Sequence, residues 1–416
     1  MKFNFGHFSR STGASGETAP LAALWCCPFR PFFLLTALSA LLAMSYWLGV
    51  LGGLLPLPDL PGGAIVWHAH ELIFGFAGAS IAGFLLTAII EFTGTAPVRP
   101  NTVRQLLALW FGGRLAYLLA GWVGVMPAAI FDLGFLALLT ARLSGPLWRA
   151  PNRRHLAFFH ALLGLIVVHG GFYVALFRQA DALAWLRLGI GLMMILIVVA
   201  LSRISMRLVN DVLEAQGGMA APYLARPPRR NLVIFSIAAY SVTEFLLPGS
   251  HASGWLALAA AAGIFNLLND WHVGRALLQR WVLIPYLVYG CMALGYATIG
   301  LGLLNGHNLI SAGHHLLLAG ALSLSILIVM AVAGRLHSGY RLDQRRWLLI
   351  SAGLLLSAAL IRGSAGLPAF SAAYPLLILL AGVSWLGGWL LYLTYAWKVL
   401  AGPRPDGGQG CDEAVK

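Results

Sequence analysis

The stretch Val66–Ile90, VWHAHELIFGFAGASIAGFLLTAII, decides the fold class. Its ionisable side chains, His68, His70 and Glu71, all stand at its start, and the rest is apolar or small. About 20 apolar residues suffice to carry a helix across the hydrocarbon core. In lipid only helices and closed barrels satisfy their own backbone groups, and an unbroken apolar run selects the helix. Working outward, similar blocks begin near Pro31, Arg104, Val123, His155, Trp185, Asn231, Ala252, Trp281, Ile310, Trp347 and Ala372. The expected fold is therefore an all-α, polytopic integral membrane protein with about 12 transmembrane helices in one bundle. The bundle should occupy residues 31–400, between a cytoplasmic N-terminal segment (1–30) and a cytoplasmic tail (401–416).

Composition agrees. Of 416 residues, 59% are hydrophobic and 10% charged, and the mean hydropathy is +0.81. Soluble domains carry about 25% charged residues. The chain is thus not a soluble enzyme, a disordered protein or a nucleic-acid binder, and its expected environment is the lipid bilayer. Met1 to about Pro28 lacks the charged-then-apolar layout of a cleaved signal peptide. The four cysteines are too few for a disulfide scaffold and form no Cys-x-x-Cys pair.

The formal charge of +13 is built from arginine, since only Lys2, Lys398 and Lys416 are lysines. Alternating twelve spans puts 22 of the 27 basic residues on the side of the termini. Arg178, Arg187 and Arg362 fall on the other side, and Arg114 and Arg203 fall inside spans. Positive charge marks the cytoplasm, so both termini are expected there. The longest loop, about 208–230, holds Pro227, Pro228, Arg229 and Arg230 and could divide the bundle into six-helix halves, although no repeat is evident between them.

Twelve histidines are many for so apolar a chain. The topology places His68, His70, His169, His251, His307, His314 and His315 toward the outer face, and His7, His155, His160, His272 and His337 toward the inner one. Neutral imidazole ligates copper, zinc and haem iron, and ionisable groups at membrane depth are costly enough to be functional candidates. On a regular helix His68 and His70 point about 200° apart, so they share no ion unless the helix is unformed there. His68 shares a face with Glu71 and with Gly75, Ala79 and Ala82, the last three small residues that admit a neighbouring helix; its bland reading is a polar helix start beside the interface anchor Trp67. His314 and His315 open the tenth span, where they either cap a helix in water or reach the depth of His68 and His70. His337 lies roughly 33 Å further along that helix and cannot share their ion. His169, deeper in the fifth span, is a lone haem-ligand candidate or a hydrogen-bonding core histidine.

Arg114 falls near mid-membrane, where an unpaired charge is unfavourable. Glu71, Asp132 and Glu244 are its nearest partners in depth. It serves either a structural ion pair or a bound carboxylate, such as a haem propionate. No phosphate-binding loop, dinucleotide fingerprint or zincin motif occurs.

These blocks resemble the NnrS family of bacterial membrane proteins connected with nitric oxide. The resemblance is carried by Pro28-Phe29-Arg30-Pro31-Phe32-Phe33 and, most specifically, by Trp67-His68-Ala69-His70-Glu71 with Phe74-Gly75-Phe76 and Ala82-Gly83-Phe84-Leu85-Leu86-Thr87-Ala88. It continues through Gly113-Arg114-Leu115-Ala116, Leu294-Gly295-Tyr296-Ala297, His315 with Gly320-Ala321, and His337-Ser338-Gly339. It implies twelve spans, haem and copper as cofactors, and a bacterial inner-membrane location. It also implies a role in nitrosative stress or denitrification, with nitric oxide or metal-nitrosyl species as partners. By the same resemblance His68, His70, His315 and His337 become metal-ligand candidates, with His314 and His169 weaker, and Glu71 and Arg114 support them. The chain departs from the family pattern at Ala293, where a histidine is expected, at Ile90-Glu91-Phe92, and at Val332, where an arginine is expected. The rival reading is a secondary transporter built on Arg114, Asp132 and Glu244.

Overall fold

The computed structural model describes residues 23–56, 59–150, 155–217, 222–305, 309–408 and 410–411. Among them are twelve long helices and no strand. They are α1 (Phe29–Leu51), α2 (Gly63–Thr93), α3 (Pro100–Leu118), α4 (Met126–Arg149), α5 (Leu156–Phe177) and α6 (Ala182–Ala215), followed by α7 (Pro227–Leu246), α8 (His251–Leu268), α9 (Arg280–Asn305), α10 (Leu309–Leu336), α11 (Trp347–Ser364) and α12 (Tyr374–Ala401). Ten are long and apolar enough to cross a membrane. The other two, α3 and α7, have the length but carry Arg104, Gln105 and Arg114, or Arg229, Arg230, Asn231 and Glu244, which lower their hydropathy. The protein is an all-α polytopic membrane protein.

Helix order explains the layout. Neighbours in sequence pack in pairs, as with α8 on α9, α11 on α12, α3 on α4 and α5 on α6. The second, sixth and tenth helices meet one another at the centre. α2 and α10 are the most enclosed of the bundle, whereas α1 and α12 present most of their surface outward. Small residues permit the close approach: a Cβ at Gly83 would press against Phe32 and Phe33 of α1.

Both α2 and α10 contain a π-helical turn, Glu71–Phe76 and Leu316–Leu322 respectively, and each begins directly after a histidine, His70 or His315. A π turn inserts a residue, re-aims the face of the helix, and is frequent at functional sites. Trp110 Nε1 of α3 donates to the Gly75 carbonyl inside the first of these turns (3.0 Å).

Three details differ from the sequence expectation. The central connection is shorter, because α6 continues as helix to Ala215. Arg30 is not a loop charge; it is buried and donates from Nη1 to the carbonyls of Leu400 and Gly402 (3.1 and 2.7 Å), tying the start of α1 to the end of α12. Cys27 and Cys411 form a disulfide between the same two ends. The start of the N-terminal segment, with His7, and His307 lie outside the described residues.

Candidate metal centre

Four helices bring their polar residues to one buried point. α2 supplies His70 and Glu71, α3 Arg114, α4 Asp132, and α5 His169 and Tyr173. His70 and His169 face each other through Nε2, 2.8 Å apart. Asp132 Oδ2 lies 3.5 Å from each of these nitrogens. The three ligand atoms fall within 4.8 Å of one another, and all three residues are buried.

The surrounding bonds fix which atoms point inward. His70 Nδ1 is 3.0 Å from Glu71 Oε1. An ionised carboxylate only accepts, so the network assigns the proton to Nδ1 and leaves the Nε2 lone pair facing His169. A histidine oriented by a carboxylate, with its second nitrogen free, is the usual arrangement of a metal ligand and its support. Arg114 donates to both oxygens of Asp132 (2.8 and 2.7 Å), and its Nε lies 3.0 Å from Glu71 Oε2. The Tyr173 hydroxyl donates to Asp132 Oδ2 (2.5 Å) and stands 3.4 Å from His70 Nε2. With both carboxylates ionised and Arg114 charged, the formal sum is one negative charge, which favours a cation between the neutral imidazoles.

Glycines make room for this packing. A Cβ at Gly113 would overlap the Asp132 carboxylate, and one at Gly75 would sit 3.1 Å from Glu71 Oε2 and 3.3 Å from Arg114. Aromatic rings enclose the imidazoles: Phe74 stacks on His169 at 3.6 Å and Phe172 on His70 at 4.7 Å, with Tyr117 edge-on to His70 at 4.7 Å. The donor set therefore suits one small transition-metal ion. It does not fit a porphyrin: the gap lined by Asp132 and His169 measures about 10 Å³, whereas pockets for larger ligands take some 300 Å³ or more. His169 Nδ1 is buried without a hydrogen-bond partner among the described residues.

The other expected site residues lie elsewhere. His68, as the 200° argument requires, turns away from His70 and stacks on Trp47 of α1 at 4.3 Å. His68 and His315 are within electrostatic reach of each other and of Arg362, and His314 adjoins His315. The starts of α2 and α10 therefore lie within range of a charge interaction. His315 Nδ1 donates to the Ser311 carbonyl (2.7 Å), which leaves its Nε2 free to accept. Arg362 donates to the Ser311 hydroxyl (3.2 Å), beside a hollow of about 950 Å³. His337 stands apart, with Nδ1 donating to the Cys411 carbonyl (2.7 Å) and Nε2 3.5 Å from Glu91. Arg114 takes Glu71 and Asp132 from its three expected partners; Glu244 instead accepts from the Gly249 amide at the end of α7.

Sequence reading missed Asp132 as a ligand and Tyr173 altogether. Tyr173 follows His169 by four residues, so the two share a helix face, and that spacing was the available signal.

Fold and site together define an all-helical membrane protein with a buried histidine–carboxylate centre. The family model described as NnrS protein matches residues 23–404, nearly the whole chain. The chain belongs to that family, and so is a nitric-oxide-related membrane protein from a family generally associated with metal or haem binding. A search of the curated proteins gave no match.

Proposed function

We propose that the protein holds a copper ion between His70, His169 and Asp132 and that nitric oxide is met at this centre, relieving nitrosative stress. The observation that carries the reading is the pair of Nε2 atoms 2.8 Å apart beside a carboxylate, inside the membrane domain. An imidazole pair suits copper, and a lone carboxylate does not select against it. When bound, copper supplies a redox-active centre able to coordinate a diatomic ligand.

The chain's own residues do the rest. Glu71 orients His70 through Nδ1. Arg114 clamps both carboxylates and offsets one of their two charges. Tyr173 fixes Asp132 and holds a hydroxyl proton 3.4 Å from His70 Nε2. Phe74, Phe172 and Tyr117 exclude water and so strengthen these interactions. Family resemblance supports a haem as well, but the triad is not its seat. His68, His314 and His315 near Arg362 are the proposed ligand group for a second centre. His337, held by Cys411 and near Glu91, is proposed to act separately at the opposite end.

The proposed setting is a bacterial inner membrane, crossed twelve times with both termini cytoplasmic, as the arginine distribution supports, in cells that meet nitric oxide during denitrification. The transporter reading loses part of its basis, since Glu244 does not join Arg114 and Asp132. Complementation tests the proposal. In a deletion strain exposed to a nitric oxide donor, the wild-type chain should restore growth and His169→Ala should not. The exposed-site variant His272→Ala should behave as wild type. Full protection by His169→Ala would refute the proposal.

A further inference from the structure

We infer that a row of apolar gaps between α2, α6 and α10 is the route by which an uncharged diatomic, nitric oxide, reaches the His70–Asp132–His169 centre; the inference rests on the metal-site reading above. The first gap, about 130 Å³, is bordered by Glu91, Arg203, Arg207 and His337, with Phe84 and Val329 also in its wall. Those two residues also line a second gap of about 60 Å³. Ile81 and Met193 line the second gap and a third, of about 10 Å³, whose walls include Asp132 and His169. The three spaces thus share walls in series and narrow toward the centre.

Their chemistry selects the traveller. Ser80 and Ser325 are the only polar side chains of the second gap, and the Ser325 hydroxyl already donates to the Leu322 carbonyl (2.7 Å). A trapped water needs two to four polar partners as well as about 10–15 Å³, and apolar cavities stay dry. Ions, which would have to shed their hydration, are excluded by the same wall. An uncharged diatomic fits the second gap and loses little by leaving water. Ala77 and Ser80 on α2 keep the gap open, since larger side chains there would fill it.

Two readouts test the route. Xenon under pressure, located by anomalous diffraction, should bind between Phe84, Val329 and Met193 in the wild-type protein. Ser80→Leu should abolish that peak and slow nitric oxide association with the metal-loaded protein severalfold in stopped flow. Met193→Ala, which widens the neck, should speed it, with equilibrium metal content unchanged in both. Xenon reports the gaps whether or not metal is bound. Metal-free protein with xenon in place would sink the metal centre and leave the gaps standing as a path to the triad. Metal-loaded protein with no xenon in the second gap, or with association rates unmoved in both variants, would overturn it.

Discussion

Asp132→Asn isolates what the buried charges contribute. Asparagine keeps the shape of the side chain and removes its charge. Arg114, with its side chain 13% exposed, would then face Glu71 alone. Removing one partner of a buried ion pair costs about 3–5 kcal/mol. The remaining carboxylate 3.0 Å away and the Trp110 ring 5.5 Å from the guanidinium argue for the lower end. The charge-assisted bond from Tyr173 becomes an ordinary one, losing about 1 kcal/mol. The sum is about 4 kcal/mol, comparable with much of a domain's stability. Equilibrium unfolding by SDS in mixed micelles measures it. Glu244→Gln is the control: another carboxylate in a helix, but one that among the described residues accepts only a backbone amide at a helix end, worth about 1 kcal/mol. An Asp132→Asn cost no larger than that of Glu244→Gln would show that the buried charges contribute no more than a helix-end carboxylate.

Gly113→Ala should disturb the same centre sterically. Because the added methyl overlaps Asp132, we expect a loss of about 1–3 kcal/mol by overpacking and lowered metal content, read by unfolding and elemental analysis. Tyr173→Phe should retain the ion but change its surroundings, with a shifted electron paramagnetic resonance spectrum at near-normal occupancy; an unchanged spectrum would remove Tyr173 from the centre. At the loop between α10 and α11, hydrogen bonds from Arg345 hold the Asp343 carboxyl well below its ordinary value, and Trp347 Nε1 donates to it as well (2.8 Å). A depressed carboxylate stabilises the fold above its unfolded pKa of about 4, and that contribution fades as pH falls through the folded value. Thermal unfolding should therefore lose stability below about pH 4 in the wild type, and Asp343→Asn should be destabilised at neutral pH with a flatter acid limb.

The helices were legible because the bilayer imposes one rule on every span: apolar length without charge. The starts expected near Val66, Trp281, Ile310 and Trp347 fall within a few residues of α2, α9, α10 and α11. The site was legible only in pieces. His70, Glu71 and Arg114 stood out as polar groups at membrane depth, but His169 lies 99 residues from His70, and nothing local says that α2 and α5 adjoin. Asp132 was recognisable as a partner for Arg114; its second task, facing two imidazoles, depends on how α4 is rotated and on the absence of a side chain at Gly113. Arg30 shows the opposite case. It reads as one more inner-loop arginine, yet it is buried against α12, because the start of α1 meets the end of α12.

Metal content per chain, with X-ray absorption at the metal edge, tests the triad most directly. Purified wild-type protein should carry one copper ion bound by two imidazole nitrogens and an oxygen, lost in both His70→Ala and His169→Ala and kept in His337→Ala. Copper at full occupancy in both substitutions, or protein that never carries it, would contradict the triad.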